Sequence, residues 1–378
     1  MYLCLVCCEY FCVKNMEEHE HPIFLRVSDM ACWCSQCQFN VSSSLNKQKK
    51  IDECRTLLKR ALLPAAELIE PTFTSSLPSA SPVGLNNLGN TCFMNSSLQC
   101  LFSAQLHVEL TEIHGNAPIL KALLSTLSHM QAKAEKSLSP SSLFSALSQK
   151  WKEYKKCYQQ DSHEFIRRLL DVCRDEEKRI KDHSVIDQLF GGVFVSILKC
   201  QECKHVSKTK DAFLDLSISL SPKECKNVEL ADLLQCFLNE EFLKDEERIS
   251  CEKCCKDTSK RVEAIKRIEI LEYPKILVLH LKRFTPTMSR RTLVYAKDSK
   301  IVSFDFRLDL EESKYCYELF ALIEHQGSDA EYGHYISYTS DSSYNWYHCS
   351  DSKVKSVSAK SVLSSQPYIL FYRLAASA

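Results

Sequence analysis

Two Cys-x-x-Cys pairs constrain this chain more than any other feature. Cys200 and Cys203 form one pair, and Cys251 and Cys254 form the other some fifty residues later. Four thiolates suit a closed tetrahedral zinc site, and a Cys-x-x-Cys turn lets two sulfurs reach one ion. A shared ion requires the ends of two hairpins to meet. Four protein ligands leave no open coordination position, so the expected role is structural. Cys255 adjoins Cys254 and competes with it; the spacing favours Cys254. A redox pair is the weaker reading, because no thioredoxin-like βαβ pattern surrounds either motif.

The chain holds 21 cysteines in 378 residues. Disulfide-rich secreted proteins are usually short and carry a signal peptide. Here the first residues, Met1 to Cys4, lack a basic segment, and Cys4, Cys7, Cys8 and Glu9 interrupt any apolar stretch. No apolar run reaches membrane-spanning length. The expectation is a reduced intracellular protein, in cytoplasm or nucleus, with no membrane partner. Lys+Arg and Asp+Glu both number 48. The basic runs Lys47 to Lys50 and Arg290-Arg291 are too short to predict direct nucleic-acid binding.

Three regions stand out. Residues 1–50 are cysteine-dense. Residues 51–81 open with a helix-like piece, Ile51 to Leu63, and become a Pro/Ser-rich linker through Pro64, Pro71 and Pro78. Residues 82–374 read as continuous globular sequence. There the helical patterns come first. One covers Asn95 to Ser103. Another covers residues 161–181, opened by Asp161 as N-cap with Glu164 at capping-box spacing, and Phe165, Leu169 and Val172 on one face. Strand patterns follow at Lys275 to Lys282, Tyr317 to His325, His334 to Thr339 and Tyr368 to Arg373. Helices before strands predict an α+β architecture, a helical lobe beside an antiparallel sheet.

The run from Gly84 to Phe102, GLNNLGNTCFMNSSLQCLF, is a Gly/Asn-rich turn that delivers Cys92 to the start of a helix. Unpaired N–H groups and a positive partial charge at a helix N-terminus favour a thiolate, the nucleophilic form. They also serve an oxyanion, and Asn87 offers a further side-chain donor. By itself, a cysteine after a turn is more often structural. A thiol nucleophile needs a base, and His334 follows Gly333 at the start of an alternating strand.

These segments closely resemble the cysteine and histidine boxes of the ubiquitin-specific proteases, the papain-like deubiquitinases. The second box is Gly333-His334-Tyr335, a strand, a turn, then Trp346-Tyr347. The resemblance spans about residues 82–374. It implies a papain-like cysteine protease with helical thumb, β-sheet palm and zinc-ribbon fingers that cradle ubiquitin. It makes Cys92 the nucleophile, Asn87 the oxyanion donor and His334 the base. The orienter of His334 has two candidates, Ser350 and Asp351; a carboxylate supports imidazolium more strongly, so Asp351→Ala is expected to cost more rate than Ser350→Ala. Gln160-Asp161 matches the family's QD box, whose role implies that both border the cleft for the ubiquitin tail. Gly333 lets a backbone or substrate tail come close, and Gly333 and Tyr335 are expected as further tail-binding residues. His280 and Arg283, on the segment Leu271 to Phe284, read as scaffold.

Cys4, Cys7, Cys12, His19, His21, Cys34 and Cys37 resemble part of the ubiquitin-binding zinc finger that often accompanies these proteases. The match starts mid-domain, lacks earlier ligands and has a shortened middle. A working finger and a degenerate one both remain open.

The implied activity is thiol-dependent hydrolysis of the isopeptide bond after the C-terminal glycine of ubiquitin, with zinc as structural cofactor. Ubiquitin and ubiquitinated proteins are the expected partners. Histones or a larger complex are associated with this finger type. The alternatives are an inactive ubiquitin-binding scaffold and a protease for a ubiquitin-like modifier. A zinc-dependent nucleic-acid-binding protein would explain the cysteine pairs but neither box.

Overall fold

Helices dominate the first third of the protease region. Besides the four-residue helix Leu106–Glu109, they are α1, Cys92–Ser103; α2, Pro118–Ala132; α3, Ser141–Lys150; α4, Ser162–Lys178; and α5, Val185–Phe190. The predicted helix at Asn95 begins three residues earlier, at Cys92 itself. Helix α4 starts where Asp161 predicts, with the Asp161 side chain accepting from the N–H groups of His163 and Glu164. The capping box is only half formed: the Glu164 carboxylate turns to Arg168. Phe165, Leu169 and Val172 are all buried on α4. The same helix caps two others. Glu176 accepts from the Leu120 N–H at the start of α2, and Glu177 accepts from Ser184 and Val185 at the start of α5. Two buried carboxylates thus satisfy donors that a helix start leaves free.

In this computed structural model the chain divides into two units, Met1–Phe73 and Thr74–Ser377. The described residues are 81–375 without 111–114, 134–135, 157, 182, 221–226, 255–259, 290–291, 311–313 and 328–332, plus the backbone of five short strands in the first unit. Those strands form one antiparallel sheet in the order Tyr10–Phe11, Tyr2–Cys4, Ile23–Arg26, Ala31–Cys34, Phe39–Asn40. The side chains of Cys4 and Cys34 lie outside the description, as do Cys7, Cys12, His19, His21 and Cys37 and the helix and linker predicted over 51–80.

The strands of the two main sheets follow in chain order. They are β1 (Gly192–Cys200), β2 (Val206–Phe213), β3 (Leu216–Ser219), β4 (Glu241–Leu243), β5 (Ala264–Glu272), β6 (Ile276–Lys282), β7 (Arg307–Leu310), β8 (Tyr315–Gln326), β9 (His334–Ser340), β10 (Trp346–Ser350), β11 (Lys353–Val357) and β12 (Pro367–Leu374). One sheet has the order β4-β5-β1-β2 and is antiparallel throughout. The other has the order β3-β6-β12-β8-β9-β10-β11, with β7 also on β8; only the β3–β6 pair is parallel. All four strands expected from sequence lie in this second sheet.

Its central strands are buried on both faces. On β6, Ile276 and Val278 enter the core shared with the helices, while Leu277, Leu279 and Leu281 enter a second core on the opposite face. On β12 the split is Ile369 and Phe371 against Leu370 and Tyr372. The period-2 alternation of strands produces this division, and each such side chain contributes about 1.5–3 kcal/mol by leaving water. Arg283, read from sequence as scaffold, is a buried charged residue of the core. It donates to the carbonyls of Pro367 (2.8 Å), Asp298 (3.0 Å) and Lys300 (2.8 Å), which ties the end of β6 to β12. Helix α1 is buried almost all round, packed on β9 and β8 with α4 beside it. Among the described residues no helix is long and apolar enough to cross a membrane.

Candidate active site

The turn before α1 is built by its own polar side chains. Asn87 Oδ1 accepts from the N–H groups of Gly89 (2.9 Å) and Thr91 (3.1 Å), and Thr91 Oγ1 accepts from Leu88 N–H (2.8 Å). Gly89 and Asn90 both take positive φ, 103° and 54°, which reverses the chain ahead of Cys92. Cys92 is the first residue of α1 and is buried. Burial lifts its thiol pKa above the ordinary value. The Tyr335 N–H opposes that shift, the Asp351 carboxylate adds to it, and the N–H groups of Phe93 and Cys92 again oppose it. The helix start therefore lowers the cost of a thiolate without overcoming its desolvation.

His334 opens β9, paired with Gln326 at the last rung of the β8–β9 ladder. Its Nε2 lies 2.9 Å from Ser350 Oγ on the last residue of β10. Of the two residues expected to orient His334, Ser350 is the one in contact. Asp351 points elsewhere. Its Oδ2 accepts from Asn87 Nδ2 at 3.0 Å and its Oδ1 accepts from Asn95 Nδ2 at 2.8 Å. The reason is backbone geometry. Asp351 has φ 49°, in the tight turn between β10 and β11, so its side chain leaves the direction that Ser350 takes.

That turn and the nucleophile turn are docked together. The Leu85 N–H donates to the Asp351 carbonyl at 2.8 Å. A Cβ on Gly84 would stand 2.3 Å from the Ser352 carbonyl oxygen, so only glycine permits this approach. Asn95, on the first turn of α1, was not singled out from sequence. It joins the Asp351 carboxylate to the Leu85 carbonyl (3.3 Å). Asparagine in a first helical turn is common, and its partner lies far off in sequence, so no local signal marks it.

Asp161 faces the same region from α4. Its Oδ2 accepts from Tyr368 OH (2.5 Å) and from Tyr335 OH (3.3 Å). Gln160 makes a 3.5 Å contact with the Tyr158 carbonyl. Its neighbour Gln159 instead holds Gly333 on both sides, as donor to the carbonyl (3.0 Å) and acceptor from the N–H (3.2 Å). The QD-box resemblance marks Gln160 alone, and no local pattern marks Gln159, whose partner lies 174 residues away. His280 is scaffold, as expected. It stacks on His163 at 3.6 Å, meets Ser217 through Nδ1 at 2.9 Å, and burial drops its pKa to about 3.

At the end of the other sheet, Cys200, Cys203, Cys251 and Cys254 bring their sulfurs within 4.8 Å of one another. Cys200 and Cys254 are 3.7 Å apart, and Cys203 and Cys251 are 3.6 Å apart. A tetrahedron with Zn–S bonds of about 2.3 Å has edges of about 3.8 Å, so the four thiols fit zinc. Cys254 is the fourth member; Cys255 lies outside the described residues.

Comparison with known proteins bears on the whole assembly. The family model described as "Ubiquitin carboxyl-terminal hydrolase" matches residues 83–372. The chain is 31% identical over 324 residues to ubiquitin carboxyl-terminal hydrolase 25 of Arabidopsis thaliana, covering 77% of this chain and 47% of that protein. It is 30% identical over 341 residues to ubiquitin carboxyl-terminal hydrolase 2 of Homo sapiens, covering 77% and 55%. It thus spans about half the length of these relatives. Among solved structures it resembles a chain of the SAGA Ubp8/Sgf11/Sus1/Sgf73 DUB module bound to ubiquitin aldehyde, with TM-score 0.65 and 23% identity, covering 100% of this chain and 87% of that one. What is shared is the overall fold, a mixed arrangement of helices and sheets. From the matched model and these identities, the chain belongs to the ubiquitin carboxyl-terminal hydrolase family.

Proposed function

We propose that this protein is a thiol-dependent deubiquitinase, hydrolysing the isopeptide bond after the C-terminal glycine of ubiquitin. One observation carries the reading: the turn bearing Asn87 and Cys92 is bonded to the turn bearing Ser350 and Asp351, beside the strand that starts at His334. Ser350 engages Nε2 of His334, which leaves Nδ1 to accept the thiol proton. The Cys92 sulfur attacks the carbonyl carbon and the C–S bond forms. The oxyanion is held by backbone N–H groups at the start of α1 and by the Asn87 amide hydrogen not given to Asp351. The C–N bond then breaks as His334 returns its proton to the leaving lysine amine. Water, deprotonated by His334, cleaves the thioester.

Tyr335 and Asp161 sit beside His334 and support a role of this rim in receiving the tail, together with Gly333 and Gln160. Zinc held by Cys200, Cys203, Cys251 and Cys254 would brace the tip of the second sheet, the fingers that face the body of ubiquitin. The Ubp8 structure contains further subunits and ubiquitin aldehyde. By extension, ubiquitinated proteins and a larger assembly, with histones as one substrate class, are the proposed partners, in cytoplasm or nucleus. The test is release of a fluorogenic amine from the C-terminus of ubiquitin. Wild type should release it and Cys92→Ala should not. Binding of ubiquitin without turnover would support the scaffold alternative, and turnover only of a ubiquitin-like protein would reassign the substrate.

A further inference from the structure

We infer that Gln159 is a positioning residue for this reaction, holding the peptide of Gly333 and thereby the placement of His334; the inference rests on the proposed hydrolase function. The ladder between β8 and β9 ends at the pair Gln326–His334. Gly333 lies one residue beyond it, so among the described residues its N–H and C=O fall outside the ladder. The Gln159 carboxamide supplies both partners, accepting at 3.2 Å and donating at 3.0 Å. A carboxamide carries the same donor and acceptor as a peptide group, so this side chain acts as one more rung of the sheet.

The other side of Gly333 is closed. A Cβ there would stand 2.1 Å from His325 Nε2 and 2.8 Å from the Gln326 carbonyl oxygen. Gly333 is therefore held between a histidine ring and the Gln159 amide. The segment that presents Gln159 is itself anchored. Upstream, Tyr154 is buried against Phe93 and Phe165. Downstream, Asp161 caps α4 and accepts from Tyr335 OH. The two residues that flank His334 in sequence, Gly333 and Tyr335, are thus both gripped from one three-residue stretch, 159–161. Nothing in that arrangement needs Gln159 to touch substrate. Its effect is on where His334 stands.

The test uses the full chain as wild type, Gln159→Leu and Gln159→Glu. Leu keeps the bulk and removes both bonds. Glu keeps the acceptor for the Gly333 N–H and sets a carboxylate against the Gly333 carbonyl. A misplacement of about 1 Å in a catalytic group costs on the order of a hundredfold in rate. Gln159→Leu should therefore lower kcat on ubiquitin with a fluorogenic leaving group by about that factor, leaving KM within about threefold. Gln159→Glu should fall between it and wild type. The imidazole nitrogen resonances of His334 in 15N-labelled protein should move in both variants, and the Gly333 amide should exchange with solvent faster. A raised KM with unchanged kcat and unchanged His334 resonances would overturn the inference and make Gln159 a tail contact. Unchanged kinetics and resonances would overturn it too. If wild type hydrolyses no ubiquitin substrate, the functional reading fails by itself, and the resonances and exchange still decide the positioning claim. If Gln159→Leu does not fold, Gln159→Glu carries the same readouts.

Discussion

Replacing Asp351 with alanine should push two properties of Cys92 in opposite directions. The carboxylate accepts from Asn87 at 3.0 Å and from Asn95 at 2.8 Å, and it also raises the Cys92 pKa. Removing it takes an unfavourable charge away from the thiolate. The thiol pKa should fall toward its ordinary value, so alkylation of Cys92 by iodoacetamide should speed up at any pH below that pKa. Turnover should slow. Loss of a whole oxyanion donor costs about 10²–10³ in kcat. Asn87 keeps its bonds to the N–H groups of Gly89 and Thr91 and to the Thr91 hydroxyl, so it loses only one of its anchors. A fall in kcat of about tenfold to a hundredfold follows from that partial loss. Asp351→Asn keeps an acceptor without the charge, and should show faster alkylation with a smaller loss of kcat. The assays are Cys92 alkylation across pH, read by mass spectrometry, and hydrolysis of a ubiquitin fluorogenic amide. Slower alkylation together with lower kcat would refute the reasoning, since Asp351 would then be supporting the thiolate through His334.

Three other outcomes follow from the same geometry. Ser350→Ala removes the 2.9 Å partner of His334, and should lower kcat by about tenfold with KM within about twofold, less than the loss in Asp351→Ala. Steady-state kinetics on the two variants checks the order. Gly84→Ala places a Cβ 2.3 Å from the Ser352 carbonyl, and the forced separation of the two turns should cost about 1–3 kcal/mol, read by denaturant unfolding. Cys251→Ser should release zinc, read by atomic emission, and raise KM for ubiquitin, while Cys92 alkylation stays as in wild type because the cluster stands on the other sheet.

Much of the site was legible because its chemistry is carried by contiguous runs. The turn before Cys92, the glycine before His334 and the N-cap at Asp161 are local patterns, and each folds as its own sequence requires. The cysteine pairs are equally plain, because their spacing suits one tetrahedral ion and their sulfurs do come together. What was hidden depends on partners distant in sequence. Asn95 and Asp351 meet across the docked turns, 256 residues apart, and Gln159 and Gly333 across 174. No propensity or period records such a contact. The choice between Ser350 and Asp351 turned on a backbone detail, the positive φ at Asp351, which moves its carboxylate off His334 and onto two asparagines. Charge alone leaves both residues as candidates and only ranks the carboxylate as the stronger support for an imidazolium. The helix boundaries were less exact for an ordinary reason: α1 is buried nearly all round, so its start is set by the turn and not by an amphipathic pattern.

The most direct test of the account is reaction of the zinc-loaded protein with ubiquitin bearing a C-terminal electrophile, followed by peptide mapping. The account predicts one covalent adduct, at Cys92, absent from Cys92→Ala and slowed in His334→Ala. No adduct from folded wild type, or an adduct at another cysteine that persists in Cys92→Ala, would contradict it.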